Sequence, residues 1–427
     1  MLSDQSTTPY FSLERGLIPQ LVTVLGINMH GLRLLLCSAT VALLSLSAAP
    51  AAACPALEKV AGTQQDATDA LRHCIEQTRA GGQLELPASR FLLRQQLRIL
   101  KPITIRTKGV ADSAANCHNL GVAKCARLVI KLDGTPNPNI MPIEVVGENV
   151  SFAHLVIQGT NDIGVVADCK LPDRRPLGGG IRVLGSNFTI RKSALRDFTC
   201  YTTMEVLARA KKLLVEDNHI GPNGDHRPGD IWTDGVTIHD SEDTIVRRNV
   251  FVDNTDVQLI LGGCRRCRIE DNEFRHSGLF SRASFAELML QAFPSTTGDY
   301  TGTVVTRNRI DCGKKHLCGY GIMIGANPWK AGENPRYPGA MFGGTITKNK
   351  VANALIGINI DSPTGPVAIY GNEVASSGGR FGSDCGTKDW PAVNVAPGAR
   401  RFIRGDPSNQ MEGSTSSTSC IVNRRPQ

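Results

Sequence analysis

The chain has 427 residues, of which 41% are hydrophobic, 20% charged and only 5% aromatic, with 43 glycines. That balance excludes a disordered chain and suits one turn-rich globular domain. The formal charge is +8 with an isoelectric point near 8.9, yet no basic run carries interleaved aromatics, so nucleic acid is not an expected partner. A mildly basic surface is compatible with an acidic polysaccharide.

At the start, Arg33 precedes the uncharged run 34–53, which ends Ala-Pro-Ala-Ala-Ala. This reads as a secretory signal peptide cleaved after about Ala53, with Met29 as the start and residues 1–53 as the leader. The run is short for a membrane span and contains Pro50, so no membrane anchor is expected after cleavage. Of 13 cysteines, Cys37 lies in the leader, leaving 12. An even count behind a signal points to disulfides in a secreted or periplasmic protein.

Residues 66–80 form the best helix candidate. Asp66 can cap it, Ala70, Leu71, Cys74 and Ile75 share a face, and Gly81-Gly82 ends it. Strand-like runs follow at 84–86, 103–105 and 128–130. From residue 143 a repeat takes over, written apolar-x-x-Asn-x-apolar. It is clearest at 246–251 around Asn249 and again at 269–274 around Asn272. Further copies surround Asn218, Asn308, Asn349 and Asn372. Ser193 takes the asparagine position in a degenerate copy, and a weaker copy lies near Leu155. The intervals from Asn249 to Asn272 and from Asn349 to Asn372 are the shortest, about 23 residues, a period typical of solenoid repeats. The other coils are longer and carry insertions. Each asparagine follows a short alternating run. Such a period predicts an all-β solenoid of about seven to ten stacked turns. Asparagine suits its recurring corner because it tolerates left-handed backbone and its amide can bond the copy above.

On these copies, residues 62–375 resemble the pectin-lyase-like superfamily of right-handed parallel β-helix proteins, which includes pectate lyases, polygalacturonases and alginate-modifying enzymes. The resemblance implies that the helix at 66–80 plugs the open end of the solenoid. The β-helix domain is then 54–375, and the Gly-, Ser- and Pro-rich remainder, 376–427, is an irregular cover. Each coil of a solenoid touches only its neighbours, so disulfides should be local. The expected pairs are Cys54 with Cys74, Cys117 with Cys125, Cys169 with Cys200, Cys264 with Cys267, Cys312 with Cys318, and Cys385 with Cys420.

The insertions carry the functional signal. Segments 160–178, 221–233 and 278–285 precede the alternating run of a coil, and segments 292–302 and 325–342 follow it. They make two walls over one sheet face, which is a groove. Trp232, Tyr300, Trp329 and Tyr337 in these walls are candidates for stacking on sugar rings. Polar residues beside the alternating runs are the site candidates: Asp230, Asp234, Thr237, His239, Asp253, Asp256, Gln258, His276, Arg282, Glu287, Gln291, Asn327, Asn359 and Asp361.

Asp234 and Asp256 stand one coil apart in the sequence, which predicts nearly equivalent positions about 4.8 Å apart. Two charges at about 5 Å repel by about 3 kcal/mol at an effective dielectric of 20, so such a pair shares a proton or a cation. The catalytic candidates are therefore Asp234, Asp256, His239, His276 and Arg282. Trp232, Gln258, Glu287, Gln291, Asn327 and Trp329 are the substrate-binding ones. The polygalacturonase pattern has Asn-Thr-Asp-Gly, then Asp-Asp, then Gly-His-Gly and Arg-Ile-Lys. This chain is similar in Trp232-Thr233-Asp234-Gly235, Thr255-Asp256 and Arg275-His276-Ser277-Gly278. Thr255 stands where that pattern has its acid, and no Arg-Ile-Lys follows. The pectate-lyase likeness implies Ca²⁺ on Asp230, Asp234 and Asp256, with Arg282 as base or carboxylate clamp. The expected protein is a monomeric, secreted one that cleaves an acidic, uronate-containing glycan by elimination. Hydrolysis and glycan binding without cleavage are the alternatives.

Overall fold

The computed structural model describes residues 54–132, 141–160, 179–199, 201–224, 233–278, 284–291, 296–325, 340–383 and 386–407. Among them the chain winds through three parallel sheets of eleven, ten and ten strands, visited in fixed rotation. Ten successive three-strand turns result, a right-handed parallel β-helix as the period predicts. Side chains alternate in and out along each strand. The inward ones stack as Leu, Ile, Val and Phe along the axis and form one continuous core. Phe251 and Phe274 face each other at 4.8 Å between neighbouring turns.

The corner between the first and second sheets holds the repeat asparagines. Asn249 shows the pattern: its Nδ2 donates to the Val215 carbonyl at 2.8 Å and to Asn272 Oδ1 at 3.0 Å, while its Oδ1 accepts from the backbone N–H and the side-chain Nδ2 of Asn218. The ladder continues through Asn308, Asn349 and Asn372, and Ser193 extends it, its N–H donating to Asn218 Oδ1. The left-handed residue is not the asparagine, as expected, but the one before it. Asp217, Arg248, Asp271, Arg307 and Lys348 all have φ between 52° and 57°. The asparagine itself is buried, and its amide serves the backbone of its neighbours. The exposed left-handed positions pair in turn, Arg248 with Asp217 and Arg307 with Asp271.

The helix predicted at 66–80 is Thr68–Gln77, with Leu71, Cys74 and Ile75 buried. Asp66 lies just outside it and accepts from the Thr68 N–H at 2.9 Å. A further helix, Pro55–Val60, precedes it. Four of the six expected disulfides are formed: Cys54–Cys74, Cys117–Cys125, Cys264–Cys267 and Cys312–Cys318. Cys169, Cys200, Cys385 and Cys420 lie outside the described residues, as does the leader. The solenoid runs past residue 375, where an irregular cover is expected. Val393–Val395 joins the third sheet and Ile403–Arg404 the first, with an antiparallel hairpin, Gly379–Ser383 and Gly386–Trp390, between the second sheet and Val393.

Candidate functional site on the third sheet

The five insertions flank strands of the third sheet. Ile181–Val183, Thr233–Ile238 and Ala286–Gln291 follow the first three, while Ala286–Gln291 and Tyr320–Gly325 precede the other two. One outward row crosses all ten strands of this sheet in register: Arg98, Glu144, Arg182, Glu205, Thr237, Ile260, Met289, Met323, Asn359 and Asn394. It is charged at first, then apolar, then amide.

The charged part converges on Glu205. Its carboxylate accepts from Arg182 Nε at 2.6 Å, from Tyr201 Oη at 2.8 Å and from His239 Nε2 at 3.0 Å. Only 3% of the Glu205 side chain is exposed, against 26% for His239. Burial pushes the carboxyl up, but the His239 bond, the Arg182 charge and hydrogen bond and the Tyr201 hydroxyl outweigh it and bring it down to about 2. Glu205 is therefore ionised at any physiological pH and holds Arg182 from the strand before it, Tyr201 from its own strand and His239 from just past the end of the strand after it. Arg182 also lies 3.9 Å from Glu144. Tyr201 has φ 71°, a region bulky residues avoid at a cost of about 1–3 kcal/mol and one that clusters at functional sites.

Asp234 lies beside this cluster. Its Oδ2 accepts from the Thr237 hydroxyl and its Oδ1 from the Val257 N–H, both at 3.3 Å, and Thr237 in turn meets the Thr202 hydroxyl at 3.1 Å. The carboxylate pair is not at equivalent positions. The register of these strands sets Val236 opposite Leu259, so Asp234 falls opposite Val257, and the Asp256 N–H meets the Thr233 carbonyl. The two aspartates are diagonal neighbours, offset by one residue.

His276 and Glu287 do not join this face. Glu287 occupies the row of Gly321 and Gly357, where a Cβ would run into Val351 and Val374 of the second sheet, so the row points into the helix at the corner. There His276 Nε2 lies 2.8 Å from Glu287 Oε1 and Nδ1 lies 3.3 Å from Asp253 Oδ1, with all three side chains 1–2% exposed. Burial drives the imidazolium down, but the Glu287 charge and the bonds to Asp253 and Glu287 prevail and raise His276 to about 9. Gln258 is likewise turned inward, accepting from the Asn254 side chain, which with Asn223 makes a second, shorter amide ladder at this corner. Gln291 is buried at the end of its strand. Asn359 accepts from Asn394 Nδ2 at 2.8 Å, and Asp361 from Ser362. Tyr300 is fully buried and donates to the Leu261 carbonyl, a packing role. Asp230, Trp232, Arg282, Asn327, Trp329 and Tyr337 lie outside the described residues.

Among the described residues the group of metal-ligand atoms that comes together is Glu287 with Cys312 and Cys318, whose two sulfurs are joined to each other. Asp234 and Asp256 offer hard oxygen donors of the kind Ca²⁺ takes, but a Ca²⁺ site needs six to eight oxygens.

The sequence matches no family model and no curated protein. Solved structures that share the fold include the Dettilon tailspike protein gp208, a polygalacturonase from Erwinia carotovora ssp. carotovora and an endo-xylogalacturonan hydrolase from Aspergillus tubingensis. Their TM-scores are 0.52, 0.52 and 0.51 at 14%, 13% and 12% identity. The alignments cover 81%, 74% and 83% of this chain and 64%, 90% and 97% of theirs, so the chain spans less than two thirds of the tailspike. What is shared at such identities is the parallel β-helix fold itself.

Proposed function

We propose that this protein is a secreted enzyme that cleaves a uronate-containing polysaccharide by elimination on the outward face of the third sheet. The observation that supports it is the gathering of Tyr201, His239 and Arg182 on the ionised Glu205. Elimination takes the proton next to the uronate carboxylate and expels the glycosidic oxygen. It needs a base, a proton donor and positive charge or hydrogen-bond donors at the carboxylate. His239 is the base: a carboxylate bonded to one imidazole nitrogen orients the ring. Tyr201 is the proton donor to the leaving oxygen, and Arg182 places a guanidinium beside both. Asp234 and Asp256, with Asp230, would supply some of the oxygen donors if a Ca²⁺ is bound. When bound, such an ion would offset the charge that builds on the substrate carboxylate.

Hydrolysis is the second reading, favoured by the diagonal Asp234 and Asp256 and by the two hydrolases that share the fold. It lacks a carboxylic acid in Glu205, which stays ionised. Secretion rests on the leader pattern and the local disulfides, and an acidic glycan on the net charge of +8.

The test is incubation of the purified chain with polygalacturonate, alginate, glucuronan and glycosaminoglycans, with and without a chelator. Ultraviolet-absorbing unsaturated products support elimination. New reducing ends without that absorbance would move the assignment to hydrolysis, and binding without either product would remove the enzyme.

A further inference from the structure

The polar track on the third sheet opens in one direction and closes in the other. Side-chain exposure along the row rises from 3% at Glu205 through 12% at Arg182 and 15% at Glu144 to 54% at Arg98. The strands from Leu97–Ile99 to Thr233–Ile238 stack over about 19 Å, four strand spacings, room for a short stretch of sugar chain. In the opposite direction, from the very next strand, the outward face is apolar: Val257, Ile260, Met289, Tyr320, Met323 and Ile356 form one cluster. These residues point away from the core, yet none is more than 3% exposed. Phe285 and Trp390 pack on them, with Phe381 from the same hairpin as Trp390, and Trp390 Nε1 donates to the Phe381 carbonyl at 3.3 Å.

We infer that this covered apolar block is a stop, so that the site accepts the end of a polysaccharide chain and cleaves a fixed, small number of sugars from it. This deepens the reading of the site as glycan-cleaving and rests on it. A sugar presents hydroxyls at many ring positions, and continuing past Asp234 would require stripping their water against the apolar side chains of Ile260 and Met289, which offer no hydrogen bond in return. Displacing Trp390 and Phe285 to make room would expose the cluster beneath. The polymer therefore lies over Glu205, Arg182 and Glu144 toward Arg98 and terminates at the boundary between Thr237 and Ile260.

The experiment compares each of polygalacturonate, alginate and glucuronan as long polymer and as a partial depolymerisate of equal mass, using the whole chain. Making chain ends ten times more numerous should raise both bound protein at sub-saturating glycan and initial rate by about tenfold, by mass action. Products should be of one small size from the first time point while viscosity falls slowly. Early viscosity collapse with oligomers of mixed length overturns the stop while leaving cleavage in place. Binding that tracks chain ends without any cleavage supports the stop and overturns the enzyme reading instead. Binding indifferent to chain ends, or to none of the three glycans, overturns the inference. Ile260→Asn, placed at the boundary and outside the site, should lengthen the released fragment if it folds; unchanged fragments from a folded variant count against the stop.

Discussion

The two halves of one outward row, Arg98 to Thr237 and Ile260 to Met323, occupy the same kind of position on the same sheet, yet one is a charged network and the other a second hydrophobic core. Beneath both the inward rows are alike, with Val236 and Ile238 matched by Leu288 and Leu290. The difference teaches that in a solenoid the inside carries the fold and the outside is free to vary from turn to turn, because each turn answers only to its neighbours. Buried charge on this face is held by partners on neighbouring strands, and its apolar part lies where Phe285 and Trp390 cover it.

The largest contrast should be in activity. His239→Ala and Glu205→Gln each remove part of the polar network, and glycan cleavage should fall about a hundredfold to ten-thousandfold, the usual worth of a positioned acid or base. Met289→Leu, three strands on from Glu205 in the same row, should leave the rate per folded molecule unchanged. Progress curves on the active polymer read both. A Glu205→Gln variant of full activity would remove the hub from the site.

Next in size is packing. Met289→Ala and Met323→Ala should each destabilise by about 2–5 kcal/mol, as buried large-to-small changes do, read from denaturant midpoints. Thr237→Ala in the polar half should cost about 1 kcal/mol, the net value of a hydroxyl hydrogen bond. Equal losses in the two halves would mean the apolar block is not close-packed.

The asparagine ladder runs under both halves and should not distinguish them. Asn249→Ala and Asn349→Ala each remove the partner of a buried backbone N–H and of a carbonyl in the preceding turn, at about 1–3 kcal/mol apiece. Thermal melts showing one to be costly and the other neutral would show that the halves differ within the core as well.

These ladder positions were legible in the sequence because burial of a polar amide between apolar residues leaves a mark that repeats: all six expected asparagines, and Ser193, stand in the column. The left-handed residue was not, since Asp217, Arg248 and Lys348 have no chemistry in common. The site was half legible. Asp234 and His239 drew notice through a motif and an alternating run, but Glu205 sits in an ordinary strand, and its partners Arg182 and His239 are far from it along the chain, separations that become contacts only once the insertions between turns are known. The spacing of the two aspartates pointed to equivalence, and the true register, which sets Asp234 against Val257, moved Asp256 by one. His276 and Glu287 looked outward on spacing alone. They turn inward because the chain bends at the corner, where Gly321 and Gly357 leave no side chain in the same row.

The smallest effect per unit of change is expected from pH, and it should separate the halves by sign. Glu205, under the polar half, is depressed from 4.5 to about 2, so the stability it contributes is fully present above about pH 4.5 and is lost as pH falls through about 2. His276, at the corner beside the apolar half, is raised from 6.5 to about 9. Its contribution is fully present below about pH 6.5 and is lost as pH rises through about 9. Linkage limits either slope to about 1.4 kcal/mol per pH unit. The alkaline loss has a structural reason: the neutral imidazole leaves Asp253 and Glu287 buried with no cation between them. Denaturant midpoints measured from pH 6 to 10 should therefore fall in the wild type and stay flatter in His276→Gln, while Glu205→Gln keeps this alkaline slope and, in a second series from about pH 5 down to about 2, loses part of the acid one. An alkaline slope that survives in His276→Gln would show that the corner histidine is not the group that titrates.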